Sequence, residues 1–427
     1  MKLSHLMSAT CAVVLSIGLV GCGNAPAAKT APKKETKSEQ KTTEEGVTRA
    51  DADLVIWADQ KRADALQDIA KQFGKDNNIK VAVQAVSTSL DTNFITADAA
   101  GNGPDVVVQG DDKIASFVQN GSIVPVQLSS EEKKKLVPEY LSAVQDGGQT
   151  YGVPYAAEGL ILYRNTDLAP DAPQTFDDLV AQGQKLVDEK KADRVISLQV
   201  GDTGDAFHMQ PLYASMGGYL IGGESGKPDT KDIGIAKDGA LKFARKLSEL
   251  GEKGSKVLTR SVSSQNSISL FAQGKTPYLI SGSWARADIE KAGIHYAASV
   301  IPGFAGEGPA RPFMSVQAFY VAAHGKNKTL AEEFVNNVVP QESTQEKLYS
   351  AEARPPALAS LLEKKAASDE VTRILSQAAK QGVVRPKVPQ LNSVWDPMGK
   401  AEASIVGGAN PEEAMKSAAQ AVEDALK

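Results

Sequence analysis

The sequence predicts an α/β fold built on an open sheet with parallel strands. Short apolar runs, such as residues 54–57, alternate with segments whose apolar residues recur at helical spacing, such as residues 62–76. Glycine and proline separate these runs, as at residues 101–104, and mark turns. Strands that alternate with helices at this spacing pair in parallel, because each crossover helix returns the chain to the same end of the sheet.

The first half of the folded region contains three predicted strands and two predicted helices. The strands are residues 54–57, 79–83 and 105–109, and the helices are residues 62–76 and 112–118. Trp57 lies within the first strand and is expected in the core. Ligands of open α/β sheets bind at the carboxyl ends of the strands, so the residues after 57 and 109 are of interest.

Charged residues follow the first and third of these strands. Asp59 is followed by Lys61 and Arg62, and Asp112 is followed by Lys113. A purely structural interpretation is that they cap helices or are surface charges, which also occur at such positions. Their placement at the carboxyl edge of the sheet makes them candidate ligand-binding residues.

A second α/β region covers residues 174–301, and more elements follow it. The predicted strands are residues 277–280 and 316–323, and the predicted helices are residues 176–191, 239–250, 330–338 and 372–380. The last helix starts after Asn410, a favoured capping residue, with Pro411 at its first position. Its apolar face, which comprises Ala414, Met415, Ala418, Ala419 and Val422, is expected to pack on the second region.

The amino-terminal sequence is typical of a secretion signal followed by a tether. Residues 1–22 combine a basic start, a short apolar run and small residues before Cys22, and they resemble the lipobox leader of bacterial lipoproteins. Removal of the leader would also remove Cys11 and leave Cys22 as a lone secreted thiol, which lipidation would explain. The alternative is a plain signal peptide with a chance cysteine. Residues 23–50 are nearly devoid of aliphatic residues and are expected to form a disordered tether.

The composition of the chain argues against several classes of function. The chain is 42% hydrophobic and 23% charged, its formal net charge is -5, and no basic stretch is interleaved with aromatic residues, which argues against nucleic acid as a partner. With four histidines and two cysteines, we expect no disulfide, no metal site and no cofactor.

Short motifs are spread over nearly all of the predicted folded part. They are residues 55–57, 79–81, 103–105, 152–158, 162–165, 217–219, 281–284, 354–357 and 389–395. Together and in this order, they resemble the extracytoplasmic solute-binding proteins of ABC importers, and within them the maltose- and maltodextrin-binding proteins.

The resemblance implies a two-lobed fold of the periplasmic-binding-protein type, in which each lobe is an α/β sheet sandwich. The chain would cross a hinge between the lobes three times. The first lobe would comprise residues 51–157 and 319–364, and the second lobe residues 160–312 and 371–427. The resemblance also implies a monomer that a lipid anchors to the extracytoplasmic face of the cell membrane. This monomer would deliver an oligosaccharide to the transmembrane subunits of an ABC permease.

A neutral sugar needs polar groups for its hydroxyls and flat aromatic side chains for its apolar faces. Candidates of both kinds are found where the family has them. The expected ligand-binding residues are Asp59, Lys61, Arg62, Asp112, Lys113, Glu158, Asp205, Phe207, Trp284 and Trp395. Each also has a structural alternative, as a helix cap, a satisfied buried acid or a core aromatic residue.

Other functions stay open at this point. Gln109 stands where the best-known member of the family has a tryptophan, and Asp396 and Gly399 replace a tyrosine and an arginine. A different oligosaccharide, such as a cyclodextrin or a non-glucan, is therefore an alternative. A receptor for a peptide or a polyamine and a glycoside hydrolase are further alternatives. Hydrolysis is disfavoured because lysine and arginine beside Asp59 and Asp112 favour hydrogen bonding over proton donation.

Overall fold

The computed structural model describes residues 47–224 and 227–427. The predicted leader, Cys22 and most of the predicted tether lie outside the described residues. In the described part of the chain, no helix combines the length and the apolar character that a membrane crossing requires.

The described residues form fourteen strands and sixteen α-helices. The strands are β1 Leu54–Ala58, β2 Val81–Ala85, β3 Val106–Gly110, β4 Ile123–Val124, β5 Gln145–Asp146, β6 Gln149–Thr150, β7 Gly152–Glu158, β8 Ile161–Asn165, β9 Ile221–Glu224, β10 Lys227–Ile233, β11 Tyr278–Ser281, β12 Tyr296–Ser299, β13 Phe313–Ala322 and β14 Val383–Val384. The helices are α1 Gln60–Asn77, α2 Leu90–Ala99, α3 Ile114–Gln119, α4 Ser130–Lys135, α5 Pro138–Ala143, α6 Phe176–Asp188, α7 Ala206–Ser215, α8 Asp238–Leu250, α9 Ser267–Ala272, α10 Arg286–Lys291, α11 Lys328–Glu333, α12 Glu342–Ala351, α13 Ala359–Ser368, α14 Glu370–Gln381, α15 Asn392–Val406 and α16 Pro411–Ala425.

The main sheet is mixed and has the strand order β14-β13-β3-β1-β2. Strand β1 pairs in parallel with β2 and with β3, which confirms the predicted parallel pairing. The long strand β13 runs antiparallel to β3, β4 and β7 and parallel to β14. A second sheet, with the order β11-β8-β12, is antiparallel. The predicted α/β class is confirmed.

The buried apolar side chains separate into distinct clusters. We call "first core" the cluster drawn mainly from residues 54–157 and 314–362. We call "second core" the cluster drawn from residues 160–313 and 388–422. A smaller cluster adjoins the second core through Trp284 and combines residues 161–298 with residues 371–378 of α14. The chain therefore passes between the cores after β7, near the start of β13, and between α13 and α14. The lobe boundaries given by the sequence stay a prediction.

Most of the predicted elements are present, with local differences at their ends. The second strand lies at Val81–Ala85 instead of 79–83, because Asn78 adopts a left-handed conformation (φ 53°) and the Ile79 amide donates to the carbonyl of Gly74. The helix predicted for residues 176–191 ends at Asp188. The helix predicted for residues 330–338 is α-helical only at its start and continues as a π-helical turn, Phe334–Val338.

The last helix, α16, has the amino-terminal cap and the buried apolar face that its sequence predicts. Asn410 caps α16, since its side-chain oxygen accepts the amides of Glu412 and Glu413 at 3.0 and 3.1 Å. Met415 and Val422 are fully buried in the second core. This prediction is confirmed.

A short segment before β1 is tied to the first core. Arg49, which the sequence assigns to the tether, has a side chain only 4% exposed, and its guanidinium lies 2.8 Å from the fully buried carboxylate of Asp105. Asp105 also accepts the backbone amides of Val55 and Asn327. The ordered structure therefore reaches at least to Arg49 on the amino-terminal side.

Candidate functional site

The carboxyl end of β1 positions Asp59 and Arg62. Asp59 caps helix α1 by accepting the amide of Arg62 at 3.0 Å, and its second oxygen lies 2.5 Å from the Arg62 guanidinium. The Arg62 side chain is 11% exposed, whereas that of neighbouring Lys61 is 66% exposed. Asp59 is thus both a helix cap and the partner of a nearly buried arginine.

Glu158 lies at the end of β7 and holds two partners that come from distant parts of the chain. Arg354 approaches its carboxylate to 3.0 Å, and the side-chain amide of Gln317 on β13 donates to it at 2.9 Å. Arg354 also pairs with Glu352 at 3.2 Å, and the Lys61 ammonium is 3.8 Å from Glu352. The first core therefore presents a group of alternating charges in which each carboxylate faces a cation.

The carboxyl end of β3 positions Asp112 and Lys113. The Lys113 ammonium lies 3.4 Å from Asp112 and 3.0 Å from Asp91 on α2. Burial favours the neutral form of Asp112, but Arg385 and Lys113 outweigh this effect and lower the pKa of its carboxyl group. Asp112 is therefore an ionised hydrogen-bond acceptor, as its neighbours in the sequence predict.

Asp205 caps helix α7 in the second core. It accepts the backbone amide of His208 at 3.0 Å, the His208 ring nitrogen Nδ1 lies 3.0 Å away, and the Gln199 amide donates to its other oxygen. Burial opposes ionisation, but the hydrogen bond and charge of His208 lower the pKa of Asp205. Phe207 is half-buried, and its ring meets that of His208 at a centroid distance of 5.4 Å.

Trp284 lies in a 3-10 turn, Ser283–Ala285, directly after β11. Its half-buried ring meets the His208 ring edge-on at 6.2 Å. A cavity of about 350 Å³ opens beside it, between groups carried by the two cores. Its charged and aromatic lining comprises Lys61, Trp284, Arg286, Glu290, Tyr349, Glu352, Lys365 and Asp369. Lys61 and Trp284, which the sequence selected separately, thus line one cavity.

The charges around this cavity are balanced and organised by one network. Arg286 pairs with Asp369 and, at 2.7 Å, with Glu290. The Tyr349 hydroxyl donates to Asp369 at 3.0 Å, and the Lys365 ammonium lies 4.6 Å from the centroid of the Tyr349 ring. Three cations thus face three carboxylates in the lining, a composition that suits a neutral polar ligand.

Trp395 lies in α15 and is half-buried against the second core. Its ring packs edge-on against Phe313 at 5.7 Å. Of the ten predicted residues, two line the cavity beside Trp284, namely Lys61 and Trp284 itself. The other eight do not line it, and they are Asp59, Arg62, Asp112, Lys113, Glu158, Asp205, Phe207 and Trp395. The ten predicted residues therefore fall into neighbouring groups, and their joint role in one site stays a prediction.

Sequence reasoning missed several residues of these groups, among them Arg286, Glu352, Arg354, Asp369 and Arg385. A signal for two of them was available. Arg354 and Arg385 each lie between an apolar residue and a proline. An arginine that such a segment buries needs a charged or polar partner. Their partners are distant in sequence, so the pairing itself was not visible.

The described residues contain no group of three or more His, Cys, Asp and Glu side chains that could hold a metal ion.

Comparisons with known proteins give a consistent result. A family model described as bacterial extracellular solute-binding protein matches residues 68–373. The galactooligosaccharide-binding protein of Bacillus subtilis (strain 168) is 25% identical over 98% of this chain and 96% of the relative. The maltooligosaccharide ABC transporter solute-binding lipoprotein of Streptococcus pneumoniae serotype 4 (strain ATCC BAA-334 / TIGR4) is 28% identical over 90% and 88%. The maltodextrin-binding protein of Bacillus subtilis (strain 168) is 26% identical over 89% and 87%.

Proposed function

Because the chain belongs to the family of bacterial extracellular solute-binding proteins, we propose that it is the sugar-binding component of an ABC importer. It binds an oligosaccharide of the maltodextrin class and delivers it to the transmembrane subunits of the permease. Relatives named for maltooligosaccharide and maltodextrin, aligned over about nine tenths of the chain, support this assignment.

The observation that carries the proposal is the cavity beside Trp284. An aromatic face supplies a stacking surface for the apolar side of a sugar ring. The surrounding carboxylates and cations supply fixed acceptors and donors for hydroxyl groups. Because the lining charges are balanced, a neutral ligand leaves no charge unpaired, whereas a peptide terminus or a polyamine would.

The predicted residues take roles in this proposal by their chemistry. Trp284 and Trp395 stack on sugar rings, and Phe207 adds apolar contact. The charged members bind hydroxyl groups. They are Asp59, Lys61, Arg62, Asp112, Lys113 and Glu158. Asp205 is already engaged by the Gln199 amide and by the backbone amide and ring nitrogen of His208, so its contribution is to hold α7 and His208 in place.

Binding occurs without catalysis. A glycosidase needs one carboxyl group that stays protonated in contact with its substrate. The pKa values of Asp112 and Asp205 are lowered, which favours ionised acceptors. Glu402, whose pKa is raised well above its usual range by burial, is 1% exposed within the second core and out of reach of a substrate.

A galactooligosaccharide is the second candidate ligand. The relative named for it aligns with 98% of the chain. Both sugars offer the same two kinds of surface, so the cavity chemistry alone does not separate them.

The protein acts as a monomer at the extracytoplasmic face of the cell membrane, held by a lipid on Cys22. Cys22 is outside the described residues, and the support comes from the leader-like sequence and from a relative named as a lipoprotein. Metabolic labelling with an alkyne fatty acid tests the anchor. The wild-type protein should take up label and sediment with membranes, and Cys22→Ser should do neither.

The central experiment is a calorimetric titration of a soluble form starting at residue 47 with maltotriose, a galactotriose and spermidine. One trisaccharide should bind at micromolar concentrations, with a change in tryptophan fluorescence. Trp57 is fully buried in the first core and provides the constant background emission. Trp284→Ala should abolish or strongly weaken binding, while His295→Ala, at an exposed position outside the cavity, should not. Binding of spermidine, together with no detectable binding of either trisaccharide, would refute the proposal.

A further inference from the structure

Arg385 is a nearly buried cation in the short segment between α14 and α15. Its side chain is 9% exposed, and its guanidinium lies 3.0 Å from Asp111 and 3.7 Å from Asp112. It also donates to the hydroxyl of Ser315 on β13. Two adjacent carboxylates at the carboxyl end of β3 thus share one arginine.

The segment that carries Arg385 belongs to the other side of the molecule from its partners. Helix α14 packs largely in the small cluster beside the second core, and α15 packs in the second core itself. Asp111 follows β3, whose side chains lie in the first core. Strand β14 pairs with Phe313 and Met314, where β13 passes from one core to the other. Arg385 therefore reaches across this junction to the first core.

Asp111 is a fully engaged anchor for this contact. One of its oxygens accepts the amide of Val316 at 2.8 Å and receives Arg385 at 3.0 Å, and the Ser315 hydroxyl lies 3.4 Å away. Burial raises the pKa of Asp111 although Arg385 opposes this effect. For Asp112, Arg385 and Lys113 are the cations that outweigh burial and lower the pKa of its carboxyl group.

We propose that Arg385 is a positioning residue that fixes Asp112 for ligand and links this carboxylate to the junction between the two cores. A shift of the β14 segment moves Arg385 and changes the electrostatic environment of Asp112. Conversely, a ligand that engages Asp112 acts on Arg385 and on the junction. The inference rests on the proposed function for the role of Asp112, but not for the contact across the junction.

Several charged groups besides Arg385 face this site. Lys113 and, through it, Asp91 come from the β3 edge and α2. Glu158 on β7 acts on Arg385, and Tyr320 on β13 lies near both aspartates. Lys387, two residues after Arg385, acts on Asp111 and donates to backbone carbonyls of residues 142 and 145. With Arg385 removed, Lys113 stays as the cation that holds Asp112 ionised.

The test compares Arg385→Met/Asp111→Asn with Arg385→Lys and with a matched control, Lys387→Met. The double variant removes the buried charges together, so no uncompensated carboxylate is left in the core at position 111. Asparagine retains an oxygen for the Val316 amide. Lys387→Met removes a cation of the same segment that hydrogen-bonds carbonyls and not a carboxylate. Calorimetric titration with the sugar that the wild-type protein binds is carried out from pH 4 to 8, and hydrogen exchange is measured without ligand.

The double variant should bind about three- to tenfold more weakly at pH 7, the effect of a weakened hydrogen bond. The pH at which half of the affinity is lost should rise by about one unit. Arg385→Lys should restore much of the wild-type profile, and Lys387→Met should keep it. Amides of residues 383–385 and 387 should exchange faster in the double variant. Wild-type affinity with an unchanged pH profile in the double variant would overturn the inference.

The two proposals fail in different ways. If no sugar binds to the wild-type protein, the proposed function fails, while faster exchange at residues 383–385 and 387 still supports the contact across the junction. If the wild-type protein binds sugar and Asp112→Asn does not weaken it, Asp112 is not a ligand residue and the positioning role is refuted.

Discussion

Glu402 should make the protein less stable as the pH rises, and Glu402→Gln should remove this dependence. Glu402 lies in α15, is 1% exposed, and neither carboxyl oxygen has a hydrogen-bond partner. Burial, reinforced by the negative charge of Asp205, raises the pKa of Glu402 well above 4.5. The folded protein therefore keeps a proton on Glu402 at pH values where the unfolded chain has released it.

The sign and slope of the pH dependence of stability follow from this difference in the number of protons bound by the folded and unfolded states. Below pH 4.5, the usual value for this side chain, the group is protonated in both states and contributes no pH dependence. Above that value the unfolded state binds fewer protons, so the free energy of unfolding falls by about 1.4 kcal/mol for each pH unit until the folded-state pKa is reached. Glutamine carries no titrating proton, so the stability advantage of Glu402→Gln should be small at pH 4.5 and grow as the pH rises above that value, until the folded-state pKa is reached.

Differential scanning calorimetry between pH 4.5 and 8 measures this trend as the difference in Tm between variant and wild type. Glu423→Gln, which makes the same chemical change at an exposed position of α16, should show no comparable growth with pH. Asp205→Asn in the wild-type background should weaken the dependence, because it removes a charge that opposes ionisation of Glu402. A Tm difference for Glu402→Gln that stays constant from pH 5 to 8 would refute the reasoning.

Three further substitutions test the fold by unfolding measurements. Asn410→Ala should destabilise the protein by about 1 kcal/mol, because two backbone amides in the first turn of α16 lose their acceptor, and Asn410→Asp should restore it. Arg49→Met should cost about 3–5 kcal/mol by leaving Asp105 buried without a cation, and an equal loss in the double variant with Asp105→Asn would contradict this account. Gly204→Ala should be far more damaging than Gly217→Ala. Both positions have a positive φ, but only at Gly204 would a methyl group clash with a carbonyl oxygen of α15, that of Gly399. Similar Tm values would therefore exclude that contact as the cause.

The elements that the sequence predicted well are those whose signals are local. The cap and proline of α16 are adjacent in the chain, and strand β1 is a continuous apolar run, so both are visible without tertiary information. Strand β2 was misplaced by two residues because a left-handed turn at Asn78 delays its start. Such a turn depends on one residue and has only a weak sequence signal.

The candidate site was predictable in its chemistry but not in its pairings. Asp59 and Asp112 were selected from their positions after strands and Trp284 from the resemblance to a known family. Each of the three follows the end of a strand. Glu158 and Arg354 are far apart in sequence, and so are Asp112 and Arg385, so no pattern in the chain could show that they pair. Long-range ion pairs are set by the way the two cores come together.

The pairing of charges also decides which ligand the proposed site prefers. The carboxylates beside the cavity are not free: Glu352 pairs with Arg354, and Asp369 pairs with Arg286. A charged ligand would have to displace one of these partners and leave it unpaired in a partly buried place, which costs more than the new contact returns. A sugar hydroxyl can instead donate to a carboxylate oxygen and accept from a guanidinium while the ion pair stays intact. In the proposed function, the fixed arrangement of the pairs would discriminate between oligosaccharides by geometry, and the stacking face of Trp284 would add affinity without adding charge.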